Sequence, residues 1–182
     1  VFKDIKIEAN KVFWTSEDKT IALELKDVFS VSERKDTQLI EIETGKNFRQ
    51  NKVYFFDSDG ELVLYYDLES GTVEWSFQEY MEKKRIVVKN MKQVGFFPQE
   101  KRIFIISSCG SQELSGYDTD GKYLFRAKNP SGFEMLYFSR LRDHIVVVCD
   151  GGKNQEDKYG RFRYHFFMDI NTGKLTKGGL AY

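Results

Sequence analysis

A chain of 182 residues in which 41% are hydrophobic and 15% aromatic has enough apolar material for a sizeable core, which excludes a disordered class. Lys plus Arg and Asp plus Glu are 28 each, so the net charge is zero; no overall field draws the chain onto a polyanion, and nucleic acid is not an expected partner. The longest apolar runs, such as Ile145 to Cys149, are strand-sized and far short of the roughly 20 residues that a membrane helix needs, so no bilayer span is expected.

In chain order, the sequence opens Val1-Phe2-Lys3-Asp4 with no initiator Met and no charged-then-apolar leader. This reads as a removed presequence or a trimmed chain, and the expectation is a soluble protein, cytoplasmic or secreted after presequence removal, with the choice left open. A first unit, residues 1–36, has candidate strands at Ile5 to Ile7, Lys11 to Ser16, Thr20 to Leu25 and Asp27 to Val31. A second, 37–90, has Leu39 to Ile42, Lys52 to Asp57, Leu62 to Asp67 and, across Ser70-Gly71, Thr72 to Phe77. Gln78 to Lys84 is polar and helix-tolerant, and fits a single helical turn or an outer-edge insertion. A third unit, 91–132, has Val94 to Phe97, Arg102 to Ile106, Leu114 to Asp118 and, after a turn at Asp120-Gly121, Tyr123 to Phe125. The fourth, 133–182, has Met135 to Phe138, His144 to Val148, Phe162 to Met168 and, after Thr172-Gly173, Lys174 to Thr176.

These strands rest on β-branched and aromatic enrichment, short runs and intervening turn residues, with only two prolines and no long helical periodicity. Asp67, Asp118 and Asp169 recur at intervals of 51, and the leading strands begin at Val12, Val53, Ile103 and Ile145. Four-stranded units at 40 to 50 residues are the pattern of propeller blades, whose radial stacking buries the blade faces. The expectation is one all-β repeat domain over 1–182, a small β-propeller of about four four-stranded antiparallel blades. A two-sheet antiparallel meander or sandwich is the alternative.

The segment from Val63 to Trp75 runs as an apolar strand to Asp67, turns through Ser70 and Gly71, and reaches Trp75 four residues after the Gly. It resembles the repeat of quinoprotein-like propellers, of the PQQ-like and WD-like blade type. In such a turn Asp bonds the backbone, Gly takes the positive φ and the aromatic packs between blades. The third unit keeps Tyr117-Asp118 and Gly121 with Phe125 at the aromatic place. The fourth keeps Met168-Asp169 and Thr172-Gly173 but ends in Lys177, and the first lacks the Gly. The resemblance implies a fold and no quinone cofactor.

Cys109 and Cys149 read as two free, strand-associated thiols, and with only His144 and His165 beside them a zinc site is not expected. Asp57-Ser58-Asp59-Gly60 and Asp118-Thr119-Asp120-Gly121 begin like calcium loops, but the twelfth positions hold Leu68 and Asn129 where a bidentate Glu is needed. Hairpin turns are expected at both. The clearest break in the repeat is the insertion from Asp150 to Gly160, and long loops on a rigid scaffold often carry function. Strand alternation after it puts Arg161, Arg163 and His165 on one face and Phe162, Tyr164, Phe166 and Met168 on the other. With Lys153 and Tyr159 of the insertion, Arg161, Arg163 and His165 are the candidate binding residues for an acidic partner or an anion. The competing reading is a solvated edge strand blunted by charge. Lys83-Lys84-Arg85 with Lys89 and Lys92 forms a second basic patch of the same ambiguity.

No Gly-x-Ser-x-Gly elbow, phosphate-cradling loop or selected carboxylate pair occurs, so no catalytic residue, metal or cofactor is assigned. The first functional expectation is a non-catalytic scaffold that binds another protein through loops and the propeller face. The alternative is an enzyme or ligand-binding protein acting on a small polar or carbohydrate substrate. Self-association to complete a ring is a third reading.

Overall fold

The computed structural model describes residues 2–17, 19–76 and 82–181, and apart from two three-residue 3-10 turns all of its regular elements are strands. Their antiparallel sheets are four in number, so the all-β class is as expected and the two-sheet alternative does not apply. The chain divides into two compact units, Val1–Val88 and Lys89–Tyr182.

In the first unit, β1 (Phe2–Glu8), β2 (Lys11–Ser16) and β3 (Lys19–Glu24) form a three-stranded sheet. A six-stranded sheet follows in sequence order: β4 (Val28–Arg34), β5 (Leu39–Thr44), β6 (Lys52–Phe56), β7 (Leu62–Asp67), β8 (Thr72–Trp75) and β9 (Lys84–Val87). This corrects the expectation that the four strands of residues 1–36 form one sheet. The strand read from Asp27 pairs with β5 and not with β3, in a register that sets Val31 opposite Ile42 and Arg34 opposite Leu39. Asp27 has φ 56, a left-handed conformation that turns the chain out of the line of β3. The hairpin to β5 is then closed by the Gln38 amide donating to the Arg34 carbonyl at 2.8 Å, and Arg34 reaches across to Glu41 at 3.0 Å. Residues 78–81 of the proposed helical turn lie outside the described residues, whereas Lys84 opens β9, whose Ile86 faces Val73 across the ladder.

The second unit matches the expected third and fourth repeats. β10 (Met91–Phe97), β11 (Arg102–Cys109), β12 (Ser111–Asp118) and β13 (Tyr123–Lys128) form one sequential meander, and β14 (Glu134–Leu141), β15 (His144–Asp150), β16 (Arg163–Met168) and β17 (Leu175–Leu180) another. Their inner strands are buried on both faces, which is why Ile103 to Ile106 and Ile145 to Cys149 read as continuous apolar runs. Phe104, Leu114 and Phe125 of one sheet share a core with Met135, Val147 and Phe166 of the other. Fully burying each large apolar side chain is worth roughly 1.5–3 kcal/mol, against about 0–1 for a surface ion pair. The aromatic and aliphatic core therefore holds this unit. One polar contact adds direction: the Gln112 side-chain amide donates to the Met135 carbonyl at 2.9 Å and accepts from its N–H at 2.5 Å, satisfying that residue's backbone as a strand neighbour would.

One turn chemistry recurs. Asp57 Oδ1 accepts the amides of Asp59 and Glu61 at 2.9 Å each, and Asp118 Oδ1 accepts those of Asp120 and Lys122 at 3.1 and 2.8 Å. The two segments that begin like calcium loops are hairpin turns, as expected. Asp67 and Asp169 do the same work between the third and fourth strands, accepting Glu69 and Ser70 in one case and Asn171 and Thr172 in the other. Gly71 completes the first of these turns at φ 71, and a Cβ there would collide with the Val88 carbonyl oxygen, which is backbone and cannot yield.

Both thiols are free, with Cys109 exposed and Cys149 buried in the β15 core, where burial pushes the thiol pKa up to about 12. In the native protein a thiol reagent should label Cys109 alone and reach Cys149 only on unfolding; two equally fast thiols would contradict the packing of β15. Gly71→Ala should destabilise the protein by about 1–3 kcal/mol in denaturant titration. Gly179→Ala, where nothing lies near an added Cβ, should be close to neutral.

Candidate functional site

The insertion after β15 is an ordered loop, folded back on its own sheet. Asp150 Oδ1 accepts the Gly152 amide at 2.8 Å and starts a short 3-10 turn, Lys153–Gln155. Gln155 is then clasped: its carbonyl accepts the Tyr164 hydroxyl at 3.0 Å, and its side-chain oxygen lies 3.5 Å from Lys177 Nζ. The tip repeats the aspartate turn seen elsewhere, since Asp157 Oδ1 accepts the amides of Tyr159 and Arg161 at 2.8 and 3.0 Å. Arg161 closes it through Nε and Nη2, at 2.9 and 2.6 Å from Asp157 Oδ2. That guanidinium holds the Asp157 carboxyl down at about 2.

The five residues singled out from the sequence fall into three places. Arg161 and Tyr159 are brought together at the loop tip, the guanidinium 5.0 Å from the centre of the tyrosine ring, with Lys158 Nζ 4.8 Å from the same ring. Arg161 precedes β16, and its charge is met by Asp157, so it adds no free cation to the strand face. Arg163 is on that face, exposed, with Nε 3.6 Å from Asp150. His165 sits two residues on, half-buried opposite Val148, and Lys153 is exposed in the 3-10 turn. Tyr159 is the most prominent of the set, an aromatic ring 68% exposed on a pinned backbone. The second basic patch is largely neutralised, as Lys83 and Arg85 both approach Glu74 and Lys84 approaches Glu82.

The fourth repeat departs from the aromatic signature with a specific consequence. In the ladders Trp75 stands opposite Leu64, and Lys177 stands opposite Phe166 at the equivalent register. Lys177 Nζ lies 3.9 Å from the centre of the Tyr164 ring and 4.8 Å from that of Phe133. A cation thus covers an aromatic floor and helps clasp the insertion beside it.

Sequence reasoning missed a second site. In the first unit, the β5–β6 connection from Gly45 to Asn51 borders a cleft of about 780 Å³. Its wall carries Lys26, Lys46, Arg49 and Lys52 against Asp27 and Glu69. Glu69 is engaged by Asn51 Nδ2 at 3.2 Å, and Lys52 lies 3.8 Å from Asp67. Among the described residues no carboxylate comes within 4.0 Å of the Lys26, Lys46 or Arg49 charged groups. A neighbouring hollow, which shares Asp27, Gly45 and Lys46 with the cleft, is lined by Phe29 and by Phe48, which is 84% exposed; the two rings meet edge to face with centres 6.2 Å apart. The available signal was an isolated Phe inside a basic, polar connection longer than the neighbouring turns. Among the described residues no group of three or more His, Cys, Asp or Glu could hold a metal ion, and no helix is long and apolar enough to cross a membrane.

The Asp157 carboxylate gives this geometry a pH signature. With its pKa depressed, its contribution to loop order is complete above the ordinary carboxylate value of about 3.9 and is lost as pH falls through about 2. The Asp157 side-chain carbon resonance should titrate near pH 2 in the native protein; a midpoint near the ordinary value would mean that the Arg161 pairing does not form.

No protein-family model matches the chain, and no curated protein matches it. Among solved structures it is similar to a protein of unknown function from Bacteroides caccae, with a TM-score of 0.38, 11% identity, and 94% of this chain covering 55% of that one. It is also similar to a chain of the yeast heterotrimeric Nup82-Nup159-Nup116 nucleoporin complex, with a TM-score of 0.45, 7% identity, and coverage of 94% and 71%. The third is the computationally designed Ika8 protein, with a TM-score of 0.34, 9% identity, and coverage of 94% and 84%. The chain spans about half the length of the Bacteroides caccae protein, and at these scores the likenesses assign no function.

Proposed function

We propose that the protein is a non-catalytic scaffold that binds another protein through its loops. The observation that carries this reading is Tyr159, an exposed aromatic side chain on a loop tip whose backbone is already fixed by the Asp157 carboxylate. Aromatic anchors dominate binding energy at protein interfaces, and a loop ordered before binding does not lose that entropy on contact. Lys153, Arg163 and His165 are candidate polar contacts beside it, and Arg161, 5.0 Å from the centre of the tyrosine ring, positions the ring. Asp57, Asp67, Asp118, Asp157 and Asp169 all accept backbone amides, which supports a structural role for these carboxylates.

The test is affinity capture from the native cell extract, identification of the retained protein, and titration of the purified pair. Tyr159→Ala should weaken the complex by at least about tenfold. Asp157→Ala, which removes the acceptor of the Tyr159 and Arg161 amides without removing the ring, should weaken it less and chiefly through entropy. Unchanged affinity after Tyr159→Ala and after deletion of Gly151 to Gly160 would overturn the reading. Retention of the chain itself would make the partner a second copy.

A further inference from the structure

We propose that the cleft between the Gly45 to Asn51 connection and Lys26 is a binding site for an acidic peptide segment carrying an apolar side chain. The cleft lies in the first unit, shares no residue with the Tyr159 surface and does not depend on it.

Charge is the first argument. Four cations line the cleft against two carboxylates, and among the described residues Lys52 alone of the four has a carboxylate within 4.0 Å. Carboxylates that could have quenched the others are turned to neutral amides instead: Glu43 receives Gln50 Nε2 at 2.7 Å and Glu69 receives Asn51 Nδ2 at 3.2 Å. In a protein of zero net charge this leaves a local positive field with no long-range one behind it. Such a field suits a short acidic segment better than a long polyanion, whose affinity depends on many phosphate contacts.

The neighbouring hollow supplies the second argument. Asn47 and Phe48 both have positive φ, 56 and 58, a left-handed region that is strained for an aromatic residue. The connection is nonetheless anchored at both ends, by the Gly45 amide on the Asp27 carbonyl and the Asn51 amide on the Thr44 carbonyl, each at 2.9 Å. This backbone holds a phenylalanine largely in water beside Phe29, where its ring adds little burial to the free protein. An apolar side chain laid against Phe48 and Phe29 would recover that surface while flanking carboxylates meet Lys26, Lys46 and Arg49. A carboxylate set against Arg49 can take the two-pronged geometry that guanidinium favours.

The experiment uses the full chain and a short fluorescein-labelled peptide of Glu and Leu, followed by anisotropy. Saturable binding that weakens as salt rises is expected, with the double reversal Lys46→Glu with Arg49→Glu lowering affinity by at least about tenfold. Phe48→Ala should lower it several-fold with the salt dependence unchanged, which separates the apolar contact from the ionic one. Lys174→Glu, an exposed lysine in the second unit, is the charge control and should bind normally. All four substitutions are at exposed side chains, and circular dichroism checks that each variant keeps its strand signal. Equal binding by the reversal variant and Lys174→Glu would overturn the proposal. So would no binding to the acidic peptide, or tighter binding of a labelled RNA oligonucleotide or free inorganic phosphate at the same residues. Loss of the Tyr159-dependent partner leaves this measurement untouched, so the two readings fail separately.

Discussion

Register in a meander of short strands is set at its turns, and in this protein one interaction recurs at them, an aspartate oxygen that accepts two backbone amides just ahead of it. Asp57, Asp67, Asp118, Asp157 and Asp169 all make it. An ionised acceptor makes a stronger bond to an amide than a neutral one, and it favours the chain reversal through contacts local in the chain. Because side chains alternate across a strand, a slip of one residue at any of these turns would move every buried position of the following strand to the solvent side. The burial of Phe104 with Phe125 is thus tied to the Asp118 carboxylate at the turn between β12 and β13.

The same economy shapes the two candidate surfaces. In the insertion, the carboxylate of a turn also takes the nearest guanidinium, so the cation expected to greet a partner is spent on ordering the loop and the tyrosine is what remains exposed. In the β5–β6 connection the balance is reversed: side-chain amides take the carboxylates, and the cations are left over. Lys177 shows a third solution. A lysine in the register of Trp75 keeps its aromatic neighbourhood by lying on Tyr164 and Phe133, and its charge then helps to hold Gln155.

Legibility followed chemistry that is local in the chain. The turn at Asp118 and the strand containing Phe104 and Ile106 could be read because turn residues and apolar runs are contiguous. The pairing of β4 could not, since Val28 and Val31 suit either neighbour, and the choice rested on the backbone conformation of Asp27 and the reach of Arg34 to Glu41. For the sites, the Asp150 to Gly160 insertion was visible as a broken repeat. The cleft near Arg49 was not, because Lys26 belongs to a different turn and is brought to it only by folding.

The sequence by itself determined an all-β chain with antiparallel repeats, the positions of the aspartate turns and a loop worth attention near Tyr159. These properties depend on period, turn chemistry and composition, which act over a few residues. Tertiary structure alone decided that the first sheet has three strands and the next six, that Arg161 is bound to Asp157 and Arg163 approaches Asp150, and that Lys26, Lys46 and Arg49 face one cleft. Those outcomes depend on which side chains compete for the same partner once distant segments meet, and that competition is settled by distance and burial rather than by order along the chain.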